Sequence, residues 1–192
     1  MQFTIFQESR KGARSTNQDR IAYTYSRDTL LLVVADGMGG HAGGEIAAQI
    51  CARLFIERFQ QEAKPVLKNP LNFLRDSMLR AHAALGSYAA QFSMLETPRT
   101  TCVACIVQAG QAYWAHVGDS RLYLYRQGGV IGPDDVPTHP DRNKIFSCLG
   151  GLVDPVIDLS RRTPLRPGSS PRLHRRTTSP APSPSSAHAR PA

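Results

Sequence analysis

Residues that staple or span are scarce in this sequence. Four cysteines in 192 residues make no disulfide framework, and a reducing compartment is the expected setting. No apolar run reaches the roughly 18–20 residues that a membrane span needs, so no membrane partner is expected. The N-terminal MQFTIFQESRKG has neither the charged start nor the long apolar stretch of a secretory signal. A cytoplasmic location is therefore expected. Acidic residues are missing after Asp158, whereas residues 161–192 carry seven of the 23 basic residues, all of them arginine. Residues 1–160 are thus nearly balanced, and the formal charge of +8 belongs to the tail. That distribution does not imply a basic nucleic-acid-binding domain.

What is present is enough apolar material for a core, 41% of residues against 20% charged. Short β-branched or aromatic runs at 3–6, 21–25 and 31–35 read as strands. Apolar residues then recur at three- and four-residue steps from Glu45 to about Gln61, and again from Leu71 to Phe92, which predicts two helices. Asn69 and Pro70 form a favourable start for the second. Strands are expected again at 100–107, 112–117 and 121–126, joined into a meander by tight turns at Ala109-Gly110 and Asp119-Ser120. QGGVIGPDDVP reads as a loop, and THPDRNKIFSCLGG as one or two helical turns. Strands, two helices and strands again predict an α+β fold with helices laid over antiparallel sheets. From Arg161 the composition turns to Arg, Pro and Ser with only two large aliphatics, Leu165 and Leu173. Such a segment buries little, so a disordered tail is expected over 159–192.

Three patches carry chemistry. In LLVVADGMGGHAGGE an apolar strand delivers Asp36 at its end, followed by glycines and a helix. Mg²⁺ and Mn²⁺ favour carboxylate, carbonyl and water oxygens, and a glycine beside the aspartate leaves its carbonyl accessible. His41 stands a few residues on, where an imidazole can donate a proton to a leaving group. RSTNQD offers Arg14, a rigid fork suited to two phosphate oxygens, and Asp19. WAHVGDSRLYLY places Asp119 in a turn, again beside a glycine. Each patch alone also fits a plain polar turn. Cys102 and Cys105 form a C-x-x-C within an apolar strand, where residues three apart face opposite ways, so buried core thiols are expected.

Taken in order, GARSTNQDR, VVADGMGGHAGGE, RTTCVACIV and AHVGDSRLYLYR closely resemble the bacterial form of the metal-dependent type-2C protein phosphatases, the PPM family. The resemblance covers residues 1–158. It implies a β-sandwich of two antiparallel sheets flanked by helices, hydrolysing phosphoserine and phosphothreonine with a metal-activated water at two Mn²⁺ or Mg²⁺ ions. Carried over, Asp36 bridges the metals, the Gly37 carbonyl binds one of them, and Asp19 supports the metal water shell. Asp119 matches the ligand of a third, weaker ion, Arg14 holds the phosphate, and His41 falls near the general acid. Phosphoprotein substrates and a bacterial-type Ser/Thr kinase as counterpart follow, with the chain expected to be a monomer.

Two blocks of that family are missing. Asp36-Gly37 is the only Asp-Gly pair in the sequence, and no Asp-Asn pair occurs. The domain over 1–158 is accordingly expected to be C-terminally incomplete, with weakened metal binding and weak or absent activity. Two rival readings remain: a non-catalytic phosphatase-like module that binds phosphoproteins through Arg14, and a nucleic-acid binder acting through the arginine-rich tail, the latter disfavoured because charge runs without aromatics are usually solvated.

Overall fold

The first sheet joins two hairpins that lie far apart in sequence. In the computed structural model, which describes residues 2–11, 16–38, 43–126, 129–131, 147–166 and 168–174, β1 (Asp19–Tyr25) pairs with β2 (Thr29–Gly37). Next to β2 lies β3 (Thr100–Gln108), and beyond it β4 (Gln111–Val117), all antiparallel. β2 and β3 are apolar along almost their whole length because both of their faces are covered. The turn from β3 to β4 is the expected one. Ala109 and Gly110 both have positive φ, 50° and 68°, the backbone that a two-residue turn between twisted strands requires.

Two helices cover one face of this sheet, α1 (Gly44–Glu62) and α2 (Pro70–Gln91). Their expected spans hold to within a residue or so. Asn69 caps α2 by accepting the Asn72 N–H at 3.1 Å, and Pro70 opens the first turn. Phe55, Phe59, Phe73, Leu74, Met78 and Leu85 meet Leu31, Val33, Ala104 and Ile106 in a first core. The other face carries Leu30, Val34, Val103, Cys105 and Val107, which form a second core with Leu122. Cys102 belongs to the first core and Cys105 to the second, both fully buried. Burial pushes the Cys105 thiol up to about 12, and both are core residues as expected.

Leu122 comes from a second sheet, and this corrects the expected meander. β5 (Arg121–Arg126) does not pair with β4. Its neighbours are β6 (Gly129–Ile131), within the stretch expected to be a loop, and a late strand. The chain crosses between sheets at Gly118–Ser120, where Gly118 takes a φ of 90°. Residues 3–6, expected as a strand, form none; Ile5 packs against the second core and the Phe3 ring meets Tyr25 edge-on at 5.4 Å. Of the stretch expected to hold helical turns, residues 138–146 lie outside the described residues. Leu149 bridges to Thr100 as extended backbone.

The tail is a second correction. β7 (Asp158–Leu159) and β8 (Thr163–Pro164) pair with the outer edge of β4, and β9 (Ser170–His174) pairs with β5. A boundary at residue 158 therefore does not separate structure from tail. The open edges of β4 and β5 offer unpaired backbone groups to any extended segment. Two aliphatics then suffice, because Leu165 and Leu173 reach a core that already exists. Pro164 and Pro171 are tolerated at edge positions. Residues 175–192 lie outside the described residues. No helix among those described is long and apolar enough to cross a membrane.

Candidate functional site

Asp19 opens β1, and Asp36 stands one residue before the end of β2. The antiparallel register sets them directly opposite each other. Residues so paired share a face, with Cβ atoms about 4.5–5.5 Å apart. Two carboxylates in that relation repel, and burial adds a desolvation cost. Asp19 is nonetheless only 8% exposed, and Asp36 is half-buried. A hard divalent cation offsets both penalties, so this donor set suits one by charge and by chemistry.

Local backbone chemistry delivers both side chains. The Asn17 side chain accepts the Asp19 N–H at 3.0 Å, and Arg20 donates to the Asn17 and Asp19 carbonyls at 3.1 and 2.8 Å. The end of β2 is wedged. Gly37 N–H donates to the Gln18 carbonyl at 3.1 Å, and Met38 N–H to the Arg99 carbonyl at 3.0 Å. A Cβ on Gly37 would lie 2.1 Å from the Gly44 oxygen and 2.8 Å from that of Gln18. Only glycine fits there. The same closeness brings the first turn of α1 against the end of β2. That helix starts without a side-chain cap, behind Gly43 in the left-handed conformation, so its positive end favours negative charge nearby.

The row of residues continues across the sheet. Thr101 on β3 is the register partner of Asp36, and Gly118, just past β4, packs on Thr101. Asp119 follows, half-buried in the crossing turn. Arg121 clamps this turn by donating to the Gly118 carbonyl at 2.9 Å and the Ser120 carbonyl at 3.1 Å. The structure thus brings Asp19, Asp36, Gly37 and Asp119 to one end of one sheet. Arg14 and His41 lie outside the described residues. Among the described residues no three His, Cys, Asp or Glu side chains gather at metal-binding spacing. An open depression of about 700 Å³, lined by Phe3, Ile5, Tyr23, Tyr25 and Arg27 among others, sits toward the opposite end of β1 and has no acidic lining.

Thr101 and Ser120 were not among the candidate residues. Their hydroxyls lie 2.8 Å apart, a contact that no local pattern in the sequence announces. The only trace is that each lies within a block already singled out, Thr101 in RTTCVACIV and Ser120 in VGDSR.

Residues 7–155 match the family model for protein phosphatase 2C. The serine/threonine phosphatase stp of Listeria monocytogenes is 27% identical over 165 residues, which cover 76% of this chain and 66% of the relative. The serine/threonine protein phosphatase PstP of Mycobacterium tuberculosis is 31% identical over 166 residues, covering 76% of this chain and 31% of its own. This chain therefore spans just under two thirds of the first relative's length and under a third of the second's. Among solved structures, the serine/threonine phosphatase Stp1 from Staphylococcus aureus superposes with a TM-score of 0.65 at 30% identity, covering 79% of this chain and 67% of that one. The Mycobacterium tuberculosis phosphatase PstP/Ppp gives 0.65 at 28% identity, covering 84% and 72%. A family model matched over most of the sequence, on a sandwich shared with these solved phosphatases, means that the chain belongs to the protein phosphatase 2C family.

Proposed function

We propose that the chain is a protein serine/threonine phosphatase whose reaction takes place at the end of the first sheet. The observation that carries this reading is the register pairing of Asp19 with Asp36, at a strand end that only glycine can occupy. The family is metal-dependent, generally on Mn²⁺ or Mg²⁺. Asp36 and the Gly37 carbonyl are the residues that would hold two such ions, with Asp19 ordering water around them and Asp119 marking a third, weaker position. When bound, the ions lower the pKa of coordinated water and neutralise charge on the transferring phosphoryl group. Asp36, directly opposite Asp19, concentrates negative charge where the cations belong. Arg14 has the right chemistry for two phosphate oxygens, and His41 for protonating the departing serine or threonine oxygen.

Phosphoproteins are the substrates, and a bacterial-type Ser/Thr kinase is the opposing enzyme. Within residues 1–192 the family's other acidic metal blocks, Ser-Asp-Gly and Asp-Asn, do not occur. Weak metal affinity and slow turnover follow for this chain.

The test is phosphate release from a phosphothreonine peptide in MnCl₂. Release should stop with a chelator. Asp36→Ala should lower kcat/KM by about a hundredfold or more, each tenfold being about 1.4 kcal/mol of barrier. Hydrolysis that is indifferent to Asp36→Ala overturns the reading. Peptide binding without any phosphate release points instead to a non-catalytic phosphoprotein-binding module.

A further inference from the structure

Thr101 is the residue that touches the crossing turn while standing in register with Asp36. On β3 it is the direct partner of Asp36, so the two side chains leave the sheet on the same face. Its Oγ1 lies 2.8 Å from the Oγ of Ser120. Both residues are sealed from solvent, at 1% and 0% exposure. Gly118 lies so close that a Cβ there would fall 2.7 Å from the Thr101 Cγ2. Ser120 directly follows Asp119, and Gly118 directly precedes it. Thr101 therefore grips the turn on both sides of the aspartate, one grip polar and the other steric.

Arg121 also holds this turn, but through the carbonyls of Gly118 and Ser120 and from within the second sheet. It fixes the shape of the turn. The hydroxyl pair fixes the turn against the first sheet, where Asp19 and Asp36 stand. A buried hydroxyl pair holds best when both members are present, because each alone is left without a partner.

We infer that Thr101 is a positioning residue, whose hydroxyl bond to Ser120 holds the Asp119 carboxylate at a set place relative to Asp36. This rests on the phosphatase reading above. Outer-shell partners of metal ligands typically change metal affinity by about 10–100-fold. An effect near the lower end is expected here, since Arg121 still shapes the turn.

The experiment uses the full chain in two measurements: calorimetric titration with MnCl₂, and the backbone amide resonance of Asp119 without metal. The variants are Thr101→Val, Thr101→Ser, Ser120→Ala, their Val/Ala double variant, Asp119→Asn and Asp36→Asn. Asp119→Asn identifies the component of Mn²⁺ binding that depends on the turn. Thr101→Val and Ser120→Ala should each weaken that component about tenfold and displace the Asp119 resonance. Binding lost in Asp36→Asn should stay as in the parent. The double variant should be no worse than either single one, since both remove one bond. Thr101→Ser keeps the hydroxyl and should restore the Asp119 resonance.

An unmoved Asp119 resonance in both Thr101→Val and Ser120→Ala overturns the inference, whatever the metal does. So does an additive double variant, or an equal loss of Asp36-dependent binding. If the parent chain shows no Mn²⁺ binding that Asp36→Asn removes, the phosphatase reading fails instead, and the positioning role falls with it.

Discussion

His116 stands on the face of β4 that meets the second sheet, and its charge state is set by what surrounds it. Burial holds its pKa below the usual histidine value, and the nearby Arg121 lowers it further. Asp158 pulls the other way, with its Oδ2 at 3.3 Å from Nε2, but that carboxylate is 66% exposed and screened by water. The folded chain therefore binds this proton less readily than the unfolded chain, whose histidines titrate near about pH 6.5. The stability contributed by neutral His116 is complete above that pH and is lost as the pH falls through it. His174, also lowered by burial and by Arg172, acts with the same sign. Thermal melts between about pH 7 and 5.5 should show Tm falling with acid, and His116→Gln should make the fall smaller. An unchanged pH slope in that variant removes His116 from the account.

At the scale of the element, α2 shows how far local chemistry reaches. Its N-terminal N–H groups have no partner within the helix, and the Asn69 side chain takes one of them. Asn69→Ala should destabilise the chain by about 1 kcal/mol in urea unfolding, whereas Asn69→Ser should be close to neutral. The effect belongs to the cap alone, because Asn69 is exposed and packs nothing else into either core. The crossing turn at Gly118–Ser120 is the opposite case. Its residues look like any tight turn, yet they send the chain into another sheet.

At the scale of the whole molecule, the second core depends on residues from a stretch whose composition resembles a linker. Leu173 reaches that core from β9. Leu173→Ala should cost about 1–2 kcal/mol in urea unfolding, less than the roughly 2–5 typical of a fully buried leucine, because its side chain is only partly covered. Leu152, which is 93% exposed, should tolerate the same change within about 0.5 kcal/mol. Equal effects at the two positions mean that β9 does not contribute to the core.

Much of this was legible residue by residue. The apolar periods of both helices, the Asn69-Pro70 start, the Ala109-Gly110 turn and the strand ending in Asp36 are local patterns, each set by neighbours a few positions away. The opposite facing of Cys102 and Cys105 followed from strand geometry alone. Sequence order could also list Asp19, Asp36 and Asp119 as acids beside turns. It could not say that Asp19 and Asp36 stand face to face, that Thr101 and Ser120 share a hydrogen bond, or that an Arg- and Pro-rich segment would close sheet edges. Those relations join positions between 17 and more than 50 residues apart in sequence. They are decided by register and by which backbone groups remain unpaired once the sheets assemble, and only the folded chain brings those groups together.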